Sequence, residues 1–70
     1  MKATYEIWDM ESGNLLLADS ALRVLRSMRS FYELNPFALN DFVLLESRGT
    51  SLRKVADKKG LREMVMKVFP

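Results

Sequence analysis

Three arginines, Arg23, Arg26 and Arg29, stand three residues apart within ADSALRVLRSMRSFYELNP. On a helix that spacing keeps side chains neighbours on one side. The planar donor fork of arginine suits phosphate oxygens, so such a stripe could contact nucleic acid. Arginine is also a good helix former, and the same residues serve equally as a solvated helix face. Glu33 follows Arg29 by four and can pair with it locally. Leu22 sits inside the arginine sector, which suits a protein contact better than a phosphate track. A second group of cations lies in SRGTSLRKVADKKGLR: Arg48, Arg53, Lys54, Lys58, Lys59 and Arg62. Lys58 and Lys59 would open a helix, the unfavourable end for cations. Anion or nucleic-acid contact and plain solubility both account for this patch. No dedicated nucleic-acid motif accompanies it: there is no Gly-x-x-Gly loop and no aromatic pair on one face of a central strand.

The other chemistry-bearing residues are sparse. There is no histidine and no cysteine. That removes the commonest general base, the commonest metal ligand, thiol nucleophiles and disulfides. Ser12, Ser20 and Ser51 therefore lack a histidine to activate them. Asp9 and Glu11 fall in a turn, where Asp9 is expected to bond its own backbone. Asp41, Glu46 and Asp57 are scattered, and no spacing makes carboxylates converge for acid–base work or metal binding. SGN and SRGTS are too short for a phosphate-binding loop. These residues point away from an enzyme and call for no cofactor and no metal.

Charge is distributed unevenly. Residues 1–47 hold four basic and seven acidic side chains, while residues 48–70 hold seven basic and two acidic. A polarised chain of this kind can steer a partner or pair with the opposite patch of another copy. With 70 residues, one domain is expected, and 49% hydrophobic content argues against disorder. A chain this short buries only roughly 60% of its unfolded surface. It must use its apolar residues efficiently or share them with a partner. Five methionines could fill an irregular core or line an adaptable contact. Apolar runs of four or fewer fall far short of a membrane span, so no membrane partner is expected. MKATYEIWDM meets acidic residues too early for a signal peptide, and a cysteine-free chain fits the cytoplasm.

The elements that must position these residues follow from periodicity. TYEIWD alternates, with Tyr5 and Ile7 on one face and Glu6 and Trp8 on the other. Ser12-Gly13-Asn14 is a turn signal in which Gly13 and Asn14 tolerate positive φ. Strands are expected at about 3–9 and 14–18. Asp19 or Ser20 can cap a helix over about 20–34, where Ala21, Val24, Leu25, Met28, Phe31 and Tyr32 share a face. Pro36 stops it. NPFALND connects, with a short helical turn at about 36–39. A second hairpin is expected at about 42–47 and 51–56, turning at Arg48-Gly49-Thr50. Asp57 resembles a cap for a last helix over about 58–68, with Leu61, Met64, Val65 and Val68 on one face.

The order is ββαββα, an α+β fold with an antiparallel sheet and helix packed on one face. Leu15 to Leu17 and Val43 to Leu45 are apolar on both faces of their strands. The second face therefore needs cover from the last helix or from another subunit. Trp8 lies on it, either as core beneath that helix or as an interface anchor.

The hairpin Tyr5-x-x-Trp8-Asp9-x-x-Ser12-Gly13-Asn14, with the capped helix, NPFAL and VADKKGL that follow, resembles a group of small uncharacterised bacterial proteins. The similarity spans most of the chain, and what it implies is structure; no activity attaches to the motif. The long helix here bears arginines where the resembling proteins are acidic. The expected function is binding rather than catalysis, in a small interaction or regulatory protein acting as a homodimer or adaptor. Its contact would use Trp8 and the sheet face, with Met64 and Met66. The alternative is a nucleic-acid-binding accessory protein using the arginine helix or the 48–62 patch.

Overall fold

A computed structural model describes residues 3–68. Its elements run β1 (Thr4–Asp9), β2 (Asn14–Asp19), α1 (Ala21–Leu34), a 3-10 helix (Pro36–Asp41), β3 (Phe42–Arg48), β4 (Ser51–Asp57) and α2 (Lys58–Met66). This is the expected ββαββα order. The four strands form one antiparallel sheet in the order β2-β1-β3-β4.

Local chemistry explains each boundary. The Asp9 carboxylate accepts from the Glu11 amide and the Ser12 hydroxyl, closing the first turn. Gly13 supplies the positive φ of 76° that the turn requires. Asn14 needs no such conformation and begins β2. Ser20 caps α1, its hydroxyl accepting from the Arg23 amide. Asn35 breaks α1 and caps the 3-10 helix through its side chain, with Pro36 at the first position. Asp57 stands at the cap position of α2 but makes no side-chain capping bond. Its carboxylate instead accepts from Lys54.

One row of side chains crosses all four strands on the inner face. Ile7 pairs with Leu17 and Leu44, and Leu44 pairs with Ala56. Val24, Leu25 and Met28 of α1, Leu39 of the 3-10 helix and Leu61 and Val65 of α2 join this row in one core. Both helices therefore lie on the same side of the sheet. The shortest extent of the Cα trace, 17 Å, holds a sheet and one helical layer. Of the two expectations for Trp8, core beneath the last helix is overturned. Ile7, Leu44 and Ala56 draw α2 to the face already occupied by α1.

Two bulges adjust the edges. Ile7 pairs with Leu17 and Trp8 with Leu15, so Leu16 is an extra residue in β2. Leu44 pairs with Ala56 and Leu45 with Lys54, so Val55 is extra in β4. The second bulge lets Val55 and Ala56 both pack against the core and leaves Lys54 and Asp57 together on the outer face.

No loop separates β4 from α2, and Lys58 takes up the change of direction at φ 47°. A lysine in the left-handed region is strained by about 1 kcal/mol. Lys58→Gly is expected to raise the unfolding free energy by about 0.5–1 kcal/mol, whereas Lys59→Gly lowers it by a similar amount. Urea unfolding of the two variants checks this.

Candidate functional site

The helices leave the outer face of the sheet uncovered. One row across it reads Leu15–Trp8–Val43–Asp57, and the next reads Ala18–Glu6–Leu45–Lys54. Leu52 follows opposite Ser47. No described element packs on this face. Val43 is nevertheless only 7% exposed and does not belong to the core under the helices. Its neighbours in the same row are Trp8 and Asp57. The Trp8 indole is pinned in turn, its Nε1 donating to Glu6 Oε1 at 2.8 Å. Leu15 and Leu52 remain exposed at the two sides. The result is an apolar centre with Glu6 on one side and Lys54 on the other. Tyr5, by contrast, packs against the core, confirming that it and Trp8 point oppositely.

The arginine stripe does not survive as a unit. Arg29 turns toward α2, and its Nη1 donates to the carbonyls of Val65 (3.3 Å), Met66 (2.9 Å) and Val68 (3.3 Å). Its Nε donates to Glu33 at 3.1 Å and its guanidinium lies over the Tyr32 ring. Carbonyls at and just after the α2 C-terminus thereby accept from a cation, which also suits the helix dipole. Arg23 lies 3.8 Å from Asp19 on an exposed surface. Arg26 is exposed and makes no ion pair among the described residues. Three equally spaced arginines thus have three different surroundings. Successive steps of three residues rotate about 60° around a helix, enough to bring only the last against α2.

The 48–62 cations are likewise divided. Arg48 and Arg53 both approach Glu46, at 3.6 Å and 3.1 Å. Lys54 holds Asp57 on the outer face, and Lys59 lies 4.0 Å from Glu63. Arg62 donates to Asn40 and covers the Phe37 ring. Lys58 is exposed at its strained turn. Strand alternation sends Arg53 and Lys54 to opposite faces, so closeness in sequence does not make one patch.

Among the described carboxylates, Glu46 gathers the most polar partners. Tyr5 donates its hydroxyl to Glu46 Oε2 at 2.9 Å, and Arg53 donates two bonds to Oε1. The Tyr5 bond, followed by that of Arg53, holds the Glu46 carboxyl below its usual range. The same hydrogen bond, with partial burial, pushes the Tyr5 hydroxyl up. The group forms one rim of the sheet, where Asp19, Tyr5, Glu46 and Arg53 follow one another across the four strands.

On the helical side, Tyr32, Pro36, Phe37, Lys59, Arg62, Glu63 and Met66 line an apolar groove of about 300 Å³. Met66 is exposed in it, whereas Met64 packs against the core. Neither methionine joins Trp8, because the sheet lies between them. The expected contact of Trp8 with Met64 and Met66 is corrected on that ground. Among the described residues no three carboxylates gather as a cation site, and no helix is long and apolar enough to cross a membrane.

No protein-family model, curated protein or solved structure matches the chain. The fold and surface define a two-layer α+β domain with one apolar sheet face outside its own core.

Arg29→Ala is expected to cost about 1.5–3 kcal/mol, the range for hydrogen bonds to a charged group. Arg23→Ala and Arg26→Ala are expected to stay within about 0.5 kcal/mol. Urea unfolding of the three variants separates the cases. Glu46 adds a pH dependence with a defined sign. Its folded pKa lies below the ordinary glutamate value of about 4.3. Its contribution is present above that value and is lost as pH falls through the folded pKa. Tyr5→Phe is expected to flatten this acid loss, measured as thermal midpoints from pH 5 down to pH 2.

Proposed function

We propose that this protein is a non-enzymatic interaction module whose contact surface is the outer sheet face centred on Trp8, acting as a homodimer or adaptor. One observation carries the reading. A 70-residue chain places both helices on one side of its sheet and leaves Trp8, Leu15, Leu45 and Leu52 on the other. The apolar run Leu15–Trp8–Val43 across three strands, with Leu45 and Leu52 beside it, is costly to leave wet and fits a contact surface. Trp8 has the form of an anchor: a large aromatic fixed by a hydrogen bond and paired across the strands with a buried valine. The polar rim around it, with Glu6, Lys54 and Asp57, fits the usual arrangement of an interface.

The arginine helix gives the nucleic-acid alternative less to stand on, since Arg29 is committed to α2 and the remaining cations are scattered.

Solution mass by light scattering, at low and high salt, tests the proposal. The expected result is self-association that salt changes little, loosened at least about tenfold by Trp8→Ala, as for an interface anchor. A preparation that carries nucleic acid and sheds it in high salt, with Trp8→Ala inert, overturns it in favour of the cationic surfaces.

A further inference from the structure

We infer that the groove on the helical side binds a small amphipathic acid, its carboxylate on Arg62 and its apolar tail toward Tyr32 and Met66. The sheet separates this site from Trp8, so it does not rest on the reading of the outer face.

Spacing along α2 sets up the groove. Lys59, Arg62, Glu63 and Met66 stand at i, i+3, i+4 and i+7 and share one side of the helix. Tyr32 of α1 and Phe37 of the 3-10 helix line the groove with them. The Arg62 guanidinium lies 5.0 Å from the centre of the Phe37 ring. Tyr32 stands at the Met66 end, since Arg29 covers its ring and donates to the Met66 carbonyl. The groove is therefore cationic toward the start of α2 and apolar toward its end. Arg62 and Met66 are about one helical turn apart, roughly 6 Å along the axis.

Charge in the groove is unbalanced. Lys59 lies 4.0 Å from Glu63. Arg62 makes no ion pair among the described residues. Its Nη1 donates to the neutral amide of Asn40, which with the Phe37 ring holds the guanidinium in place. The rest of its donor fork has no partner among the described residues. Two cations against one carboxylate leave one positive charge beside an apolar surface. A carboxylate on an apolar body complements both, because the planar fork of arginine takes a carboxylate by paired hydrogen bonds. Lys59 stands in the first turn of α2, where the helix dipole also favours an anion. Phe37 and Met66 are exposed, so a tail laid on them removes apolar surface from water.

Size selects a small ligand. A volume of about 300 Å³ stands at the lower end of the range for small-molecule sites, about 300–1,000 Å³. Seven residues line the groove, against roughly 20–30 a side in a stable protein interface.

The test titrates the full chain with octanoate, octanol and octylamine, which share one tail and differ in head group. Amide chemical shifts in nuclear magnetic resonance report where each binds. Octanoate is expected to move the amides of Phe37, Arg62, Glu63 and Met66 and not that of Trp8, with a dissociation constant of about 1 mM for a ligand of this size. Octanol is expected to bind about tenfold more weakly, and octylamine more weakly still. Arg62→Gln is expected to weaken octanoate about tenfold and leave octanol unchanged. Glu63→Gln removes a like charge and is expected to tighten octanoate about two- to threefold. Met66→Gln is expected to weaken octanoate and octanol alike. Should Arg62→Gln cost the fold, Arg62→Lys keeps the charge without the fork and is expected to weaken octanoate about threefold.

Trp8→Ala is expected to leave octanoate binding unchanged, so the groove and the outer face are tested separately. Equal binding of the three compounds overturns the anion site. Octanoate binding lost equally in Arg26→Gln and Arg62→Gln overturns it in favour of general attraction to cations. Amides of the groove that stay unmoved at about 10 mM octanoate overturn the inference as a whole.

Discussion

The row Leu17–Ile7–Leu44–Ala56 is the constraint on which the rest of the molecule depends. A chain of this length closes one hydrophobic core, because its surface is large relative to its volume. Ile7 and Leu44 are fully buried on the inner face, and every helical element contributes to their cover. Once α1, the 3-10 helix and α2 share that face, no described element covers the other. The uncovered tryptophan is therefore a consequence of the core, not an independent feature. Removing the bulk of Ile7 or Leu44 would disturb the helices and the outer face together, since the two faces share one backbone.

Charges follow the same geometry. Arg29 becomes a structural group because α2 returns alongside α1 and ends with its carbonyls near the guanidinium. Glu46 collects Tyr5, Arg48 and Arg53 because adjacent strands bring three separate stretches of sequence to one rim. Lys54 escapes that group only because strand alternation points it outward, where the bulge sets Asp57 beside it. A basic run in sequence is thereby split among the outer face, the sheet rim and the helical groove.

Much of this architecture was legible from residue order alone. The alternation of TYEIWD placed Trp8 opposite Ile7, and the apolar face of Val24, Leu25 and Met28 identified α1. Asp57 did mark the start of α2 and stands at its cap position, but its carboxylate accepts from Lys54 and makes no capping bond. The bulges were not legible: an extra residue such as Leu16 or Val55 has no compositional mark, yet it shifts every later side chain in its strand. The capping role of Arg29 was hidden for a related reason. Its partners are backbone carbonyls, which every residue possesses and which carry no sequence signature.

Residue periodicity, turn chemistry and capping determined the element order ββαββα, because these are local interactions within a few residues of chain. The same local patterns required apolar side chains on both faces of the sheet. Which face the last helix covers was decided only in the folded chain, since it depends on contacts between residues far apart in sequence. So was the placing of Glu6 and Lys54 on either side of Leu45, which strand order and the β4 bulge jointly set. Strand pairing joins segments across the whole length of the chain, and no local period encodes it.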